Sequence, residues 1–198
     1  MPNATLKLTA RDRLLAAADE LFYNEGVNTV GIDRIIEHAG VAKASLYNTF
    51  GSKEELVLAY LHRRHTRAND RISRALARYE SPRERLLAVF DAQRELFADP
   101  QYRGCAFVSA SAEAAAGSSV EQASNEFRAW LRALLTELSA EAGLADAESF
   151  GRTMHLLYDG AMLAARMDRN PAAADVAKAT AAALYDAAPK VKRARTRV

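Results

Sequence analysis

Apolar residues recur every three or four positions along almost the whole chain, the spacing of helices with one buried face. The first such stripe, Leu14, Leu15, Ala18, Leu21 and Phe22, follows Thr9 and Asp12, which are spaced as a capping box, and Gly26 closes it. A short helix over 32–39 turns Ile32, Ile35, Ile36 and Ala39 inward and ends at Gly40, where a left-handed residue belongs. Another short helix, over 43–49, has only Leu46 and Phe50 for a buried side. Ser52 with Glu55 starts a long helix over 53–79, and Ser81-Pro82 starts one over 82–98. After the Asp99-Pro100 break, helices are predicted over 104–116, over 119–142 from Ser118 to Gly143, and over 147–168. A last one covers 171–187, between Asn170-Pro171 and Pro189. The pattern predicts an all-α fold of about nine helices.

Composition narrows the function more by exclusion than by assertion. The 198 residues can bury a sizeable core, as one large domain or two small ones. No apolar run approaches the ~20 residues of a membrane span, and the N-terminus lacks the apolar region of a signal peptide. A lone Cys105 excludes an internal disulfide and suits a reducing cytoplasm, so a cytoplasmic, membrane-free protein is expected. His38, His62, His65 and His155 show no metal-ligand spacing, and no glycine-rich phosphate loop occurs. Catalytic residues, a metal site and a cofactor are therefore not expected. A helical enzyme or carrier would need a clustered acid, base or metal set, and none stands out.

Charge is informative only in its placement. The net charge is +2, yet five basic residues and no acid lie in the last nine positions, so the rest of the chain is net acidic. The first 65 residues are neutral, with eight basic and eight acidic side chains. Bulk charge makes no case for nucleic acid, although an architectural DNA binder would use that tail. Arg63, Arg67, Arg71, Arg74 and Arg78 form a stripe along one predicted helix, expected to be a solvated face.

The two short helices joined by Ala39-Gly40-Val41-Ala42 are too short to bury much as bundle neighbours. Such a pair around a glycine turn is the arrangement of a helix-turn-helix, whose second helix enters a major groove. That second helix carries Lys43, Ala44, Ser45, Tyr47, Asn48 and Thr49, mostly short hydrogen-bonding groups that allow close approach to base edges. The stretch GVNTVGIDRIIEHAGVAKASLYNTFGSKEELVLAYL closely resembles the DNA-binding domain of TetR-type transcriptional repressors. The likeness rests on the Ile-Ile and Ala-Gly-Val core, the Leu-Tyr pair, the following Phe and the Ser-Lys-Glu start of the next helix, over about residues 10–60.

The resemblance implies that Lys43, Ser45 and Asn48 face base edges, with Ala44 leaving room. It implies that Tyr47, Thr49 and Lys53 reach phosphates of double-stranded DNA, helped by Lys7 and by amides near Gly31 and Ile32. The Tyr47 ring is expected in the domain core, with only its hydroxyl at the DNA. Taken singly, Ser45 and Asn48 read as plain surface residues, and Lys53 as a solvated first-turn lysine. Two departures from the family pattern stand out: Gly31 and Ala42 replace hydroxyl residues at helix starts, and Ala is a poor cap by ~1 kcal/mol.

The implied organisation is a DNA-binding domain over 8–52, a helical ligand-binding and dimerisation domain over 53–187, and a basic, disordered tail over 188–198. By the same resemblance, the second domain takes a small-molecule inducer and pairs with a second copy through its last two helices. The sequence bears on both. One face of the eighth helix carries Phe150, Met154, Leu157, Tyr158 and Ala161, and another carries Leu156, Gly160, Leu163 and Met167. With Val176, Ala183 and Leu184 on the Ala-rich ninth helix, the second face suits a symmetric dimer seam. Phe90, Phe107, Met154, Tyr158 and Met162 are candidates to line a ligand pocket, with Phe97 and Trp130 in reserve; each reads equally as core. Cys105 reads as a small buried apolar residue.

Overall fold

A computed structural model describes residues 8–191, which form an all-α fold of nine helices: α1 (Ala10–Glu25), α2 (Ile32–Ala39), α3 (Lys43–Phe50), α4 (Lys53–Leu76), α5 (Pro82–Phe97), α6 (Ala106–Glu113), α7 (Ser119–Glu141), α8 (Ala147–Asp168) and α9 (Ala173–Ala187). Lys7 and the part of the basic tail from 192 to 198 lie outside the described residues. Among the described helices none is long and apolar enough to cross a membrane.

The capping bonds expected at Thr9 and Ser52 are present. Thr9 Oγ1 accepts from the Asp12 amide at 3.1 Å, and the Asp12 carboxylate accepts from the Thr9 amide at 3.2 Å. Hydrogen bonding to Thr9 holds the Asp12 carboxyl below the usual carboxylate range. The Glu55 amide donates to Ser52 Oγ at 3.1 Å, starting α4. Ser81 makes no such bond, so Pro82 alone marks the start of α5.

Several ends differ from the expected ones. At the end of α4, Arg78 and Tyr79 bond back three residues rather than four, which tightens the chain into turns and stops the helix at Leu76. Helix α6 is shorter than 104–116: Gly104 holds φ at +101°, outside the helical region, and at the other end Ala114 bonds back three residues to Ser111. The Asn170 side chain accepts from the Ala172 amide at 2.9 Å, a local turn that delays α9 to Ala173. Residues 188–191, expected as the start of a disordered tail, instead run along the turn after α7. The Ala145 amide donates to the Pro189 carbonyl at 3.0 Å and the Val191 amide to the Gly143 carbonyl at 2.8 Å.

The chain folds as two compact units, and the division does not fall at position 52. One unit holds the described residues up to Thr66 together with Ala106–Asn125; the other holds Arg67–Cys105 and the residues from Glu126 on. The first unit needs α4 because Leu56, Val57, Tyr60 and Leu61 complete its core with Leu14, Leu21, Phe22, Ile35 and Leu46. Phe22 and Tyr60 meet edge to face at 5.6 Å. Arg64 stacks on the Tyr23 ring at 3.7 Å and pairs with Asp19 at 2.7 Å, tying α4 to α1. The end of α6 joins the same unit through Glu113, which accepts from the Asn28 amide at 2.7 Å. The core of the second unit gathers Ile72 of α4, Leu86 and Phe90 of α5, Leu131, Leu135 and Leu138 of α7, Met154 and Tyr158 of α8, and Ala174 and Ala181 of α9. There α8 and α7 approach so closely that a Cβ on Gly151 would lie 2.9 Å from the Thr136 backbone.

Candidate nucleic-acid interface

Helices α2 and α3 are joined by Gly40, Val41 and Ala42, and Gly40 takes the left-handed conformation, φ +60° and ψ +45°. Arg13 of α1 donates to the Gly40 carbonyl at 2.9 Å and the Ala39 carbonyl at 3.3 Å, pinning the turn to the first helix. Ile35, Ala39 and Leu46 are buried beneath the pair, which fixes what α3 turns outward. That outward side carries Lys43, Ala44, Tyr47, Asn48 and Thr49, all exposed, with Ser45 half-buried.

Tyr47 departs from its expected place in the core. It is 45% exposed, so its ring as well as its hydroxyl is offered to the surface. Phe50, expected as fully inward, is half-buried, with the Arg11 guanidinium 5.5 Å from its ring centre.

Three of the polar groups already have partners. Lys43 Nζ donates to Asp33 of α2 at 2.9 Å, an exposed pair, and that hydrogen bond raises the lysine pKa and keeps the group cationic. Thr49 Oγ1 donates to the Ser45 carbonyl at 2.6 Å, leaving its oxygen lone pairs outward. Lys53 is half-buried rather than free in solvent, with its ammonium 6.0 Å from the Phe22 ring centre. Asn48 has its full hydrogen-bonding repertoire available at the exposed surface. Neither Gly31 before α2 nor Ala42 before α3 supplies a side-chain cap, so first-turn N–H groups keep no side-chain acceptor and suit an external anionic oxygen.

Asp33 is the residue that sequence reasoning missed here. Its acidic charge stands on a surface whose candidate contacts are otherwise neutral or basic, and it holds the exposed Lys43. Its signal was an acid in the first turn of the helix before Lys43, which a count of net charge hides.

In the second unit Phe90, Met154, Tyr158 and Met162 share one buried cluster, with Phe97 inside it and Trp130 packed against it. Phe107 is buried in the other unit, edge to face with His65 at 6.5 Å, and so is not part of that cluster. The proposed seam residues all stand out from the single chain: Leu156 is 74% exposed and Leu184 41%, with Leu163, Met167 and Val176 between them. Gly160 and Ala183 are exposed as well, and a groove of ≈ 420 Å³ runs between α8 and α9 past Leu156, Gly160 and Val176.

The family described as bacterial regulatory proteins, tetR family, matches residues 14–60. A crystal structure of a TetR-family transcriptional regulator from Streptomyces coelicolor superposes with a TM-score of 0.80 at 34% identity, covering 89% of this chain and 92% of that one. The structure of reduced Escherichia coli NemR superposes with a TM-score of 0.74 at 25% identity, over 86% of this chain and 95% of that one. In sequence, the transcriptional activator FasR of Mycolicibacterium smegmatis is 40% identical over 82 residues, 41% of this chain and 37% of FasR. The repressor NemR of E. coli K12 is 31% identical over 105 residues, 52% of this chain and 53% of NemR. The aligned stretches thus span between about a third and a half of these two curated relatives. All are transcriptional regulators, a non-enzymatic class.

Proposed function

This chain belongs to the TetR family of bacterial transcriptional regulators, and on that premise we propose that it is a ligand-released repressor binding a roughly palindromic operator as a homodimer. It binds DNA by α3. The observation that carries the reading is the outer side of that helix, where Lys43, Asn48 and Thr49 are exposed beside Ala44 over a pinned helix-turn-helix. Lys43, Ser45 and Asn48 address base edges; Tyr47, Thr49, Lys53 and the uncapped helix starts address phosphates. Two copies joined through Leu156, Leu163, Met167, Val176 and Leu184 present two such helices, and two-fold symmetry then demands two half-sites.

Release follows from a population shift. A small molecule held in the second unit favours a dimer state with the wrong separation of the two α3 helices, by no more than its differential affinity for the two states. Helix α4 contributes residues to both units and is the transmitting element. The protein acts in the cytoplasm, where the chromosome is. Repression is proposed because effector-dependent loss of binding is the simplest consequence of that shift; the M. smegmatis relative is called an activator and the E. coli one a repressor.

Selection of bound fragments from genomic DNA, followed by transcription from the recovered promoter, tests the proposal. The expected result is an enriched two-fold repeat and a promoter silenced by the protein. No enriched sequence would sink the operator reading, and a promoter stimulated by the protein would overturn repression alone.

A further inference from the structure

Several charged groups in the second unit are neutralised in pairs: Arg85 with Glu141 at 2.9 Å, Arg128 with Asp159 at 2.9 Å, and Lys178 with Asp91 at 2.6 Å. Arg71 of α4 departs from this. It is half-buried, its Nε is buried without a hydrogen-bond partner, and no carboxylate pairs with it among the described residues. Of the expected solvated arginine stripe, Arg63 and Arg71 are half-buried, and Arg67, Arg74 and Arg78 are exposed. A cation withdrawn from water without a counter-charge is unfavourable, and an anion arriving there gains a strong charge-assisted bond.

What surrounds Arg71 narrows the kind of anion. Its guanidinium hydrogen-bonds the side chain of Tyr158. That phenol is 4% exposed, and burial pushes its pKa up to about 12, so it stays protonated and retains a hydrogen to donate. Gln93 of α5, 1% exposed, donates its amide to the Tyr158 backbone carbonyl at 2.9 Å, while its own Oε1 is buried with no donor. The cluster therefore offers two donors, one of them cationic, and one acceptor. Cys105 and Asp159, the latter paired with Arg128, also act on the Tyr158 phenol, while Phe90, Met154 and Met162 belong to the same buried core as Tyr158, and methionines are the side chains that yield most readily to an incoming body.

We infer that Arg71, Tyr158 and Gln93 form the polar end of the effector site, and that the effector is a small monocarboxylate with an apolar body and a hydroxyl or N–H beside the carboxylate. The carboxylate oxygens accept from Arg71 Nε and the Tyr158 hydroxyl; the neighbouring hydroxyl or N–H donates to Gln93 Oε1. A doubly charged phosphate leaves one charge uncompensated against a single guanidinium, and Gln93 Oε1 repels it. A neutral ligand leaves Arg71 unpaired. Because Arg71 sits on α4, the bond formed acts on the helix that also enters the first unit. This inference rests on the reading of the second unit as an effector site.

Trp130, the chain's single tryptophan, packs against this core and reports on it by fluorescence. The full chain is titrated with salicylate, mandelate and 2-hydroxyhexanoate, each against its own neutral amide, and operator binding is followed separately by anisotropy. At least one acid is expected to saturate, with its amide weaker by about 30-fold or more. Arg71→Met is expected to abolish that preference, Arg71→Lys to retain part of it, and Tyr158→Phe to weaken the acid by about tenfold. Phenylacetate and hexanoate serve as hydroxyl-free controls, and Gln93→Leu should erase the advantage of mandelate and 2-hydroxyhexanoate over them. Thermal melting identifies any variant that does not fold, and Arg71→Lys then carries the comparison. Acids and amides binding alike, acid binding that survives Arg71→Met, or no saturation by any acid each overturn the site. Saturable acid binding that leaves operator affinity unchanged supports the carboxylate site and overturns the effector role; release by an amide alone does the reverse.

Discussion

On α3 the exposed side chains are short and polar, Lys43, Asn48 and Thr49, with one aromatic, Tyr47. On α8 and α9 they are Leu156, Leu163, Met167, Val176 and Leu184. Two helix faces of one protein stand open to solvent, and they ask for different partners. The α3 face is comfortable in water and gains from a partner only by directional bonds, so it can discriminate among sequences while losing little when unbound. The α8–α9 face is uncomfortable in water and gains from any matching apolar surface at ~25 cal/mol per Å², so it supplies affinity without much discrimination. A self-complementary copy is the partner that such a face can always find. On the proposed reading, specificity and assembly fall to separate faces of different chemistry.

The sharpest way to break this comparison is to make the apolar face polar. Leu163→Glu combined with Met167→Glu places four carboxylates in a two-fold seam and leaves the core of the single chain untouched, since both side chains are exposed. Dimers should dissociate by sedimentation, and operator affinity should fall by about 100-fold or more, because a single α3 holds a single half-site. Intact dimers would remove α8 and α9 from the seam.

Changes on α3 should be smaller and of another kind. Asn48→Ala and Lys43→Ala should each reduce discrimination between operator and random DNA by about 1–3 kcal/mol per half-site, with little change in affinity for random DNA. Competition binding against a shuffled operator measures this. Equal losses on both DNAs would mean that these side chains only touch backbone.

What could be read beforehand follows the same line between local and distant causes. The α1 cap at Thr9, the Gly40 turn and the second apolar face of α8 at Leu156, Leu163 and Met167 depend on neighbours within a few residues, and period and spacing suffice to see them. The Glu113 bond to Asn28 spans 85 residues, and nothing local announces that the end of α6 belongs with the DNA-binding unit. Phe107 goes with it for the same reason. Arg71 is legible as one of a stripe but not as the member that meets Tyr158 of α8. Gln93 did carry a signal, a polar residue on the apolar Leu86, Phe90 side of its helix, though its partner at Tyr158 lies 65 residues on. Tyr47 fails differently: its neighbours Leu46 and Phe50 already supply the inward side, so its ring is left outside.

Two charge changes on the DNA-binding unit should act weakly and in opposite directions. Asp33→Asn frees Lys43 and removes an acid facing the phosphates, so binding to random DNA should tighten a few-fold and specificity should fall. Lys53→Ala should weaken all sequences alike and flatten the salt dependence by about one counterion per protomer. An unchanged salt slope would assign Lys53 to packing on Phe22 alone.

The smallest expected effect is also the most diagnostic, because its sign depends on whether the apolar face is covered. Gly160 lies inside α8, and a Cβ built there meets nothing within 4 Å in the single chain. For an isolated protomer, Gly160→Ala should therefore stabilise by about 0.5–1 kcal/mol, through reduced backbone freedom in the unfolded state. In a two-fold seam the methyl enters twice, between helices drawn close by the absence of a side chain, and overpacking of about 1–3 kcal/mol outweighs that gain. Thermal melting across protein concentration separates the two regimes. The variant should melt higher than the parent where protomers are dilute and lower where they pair. A variant that melts higher at every concentration would mean that no second helix crosses α8 at Gly160.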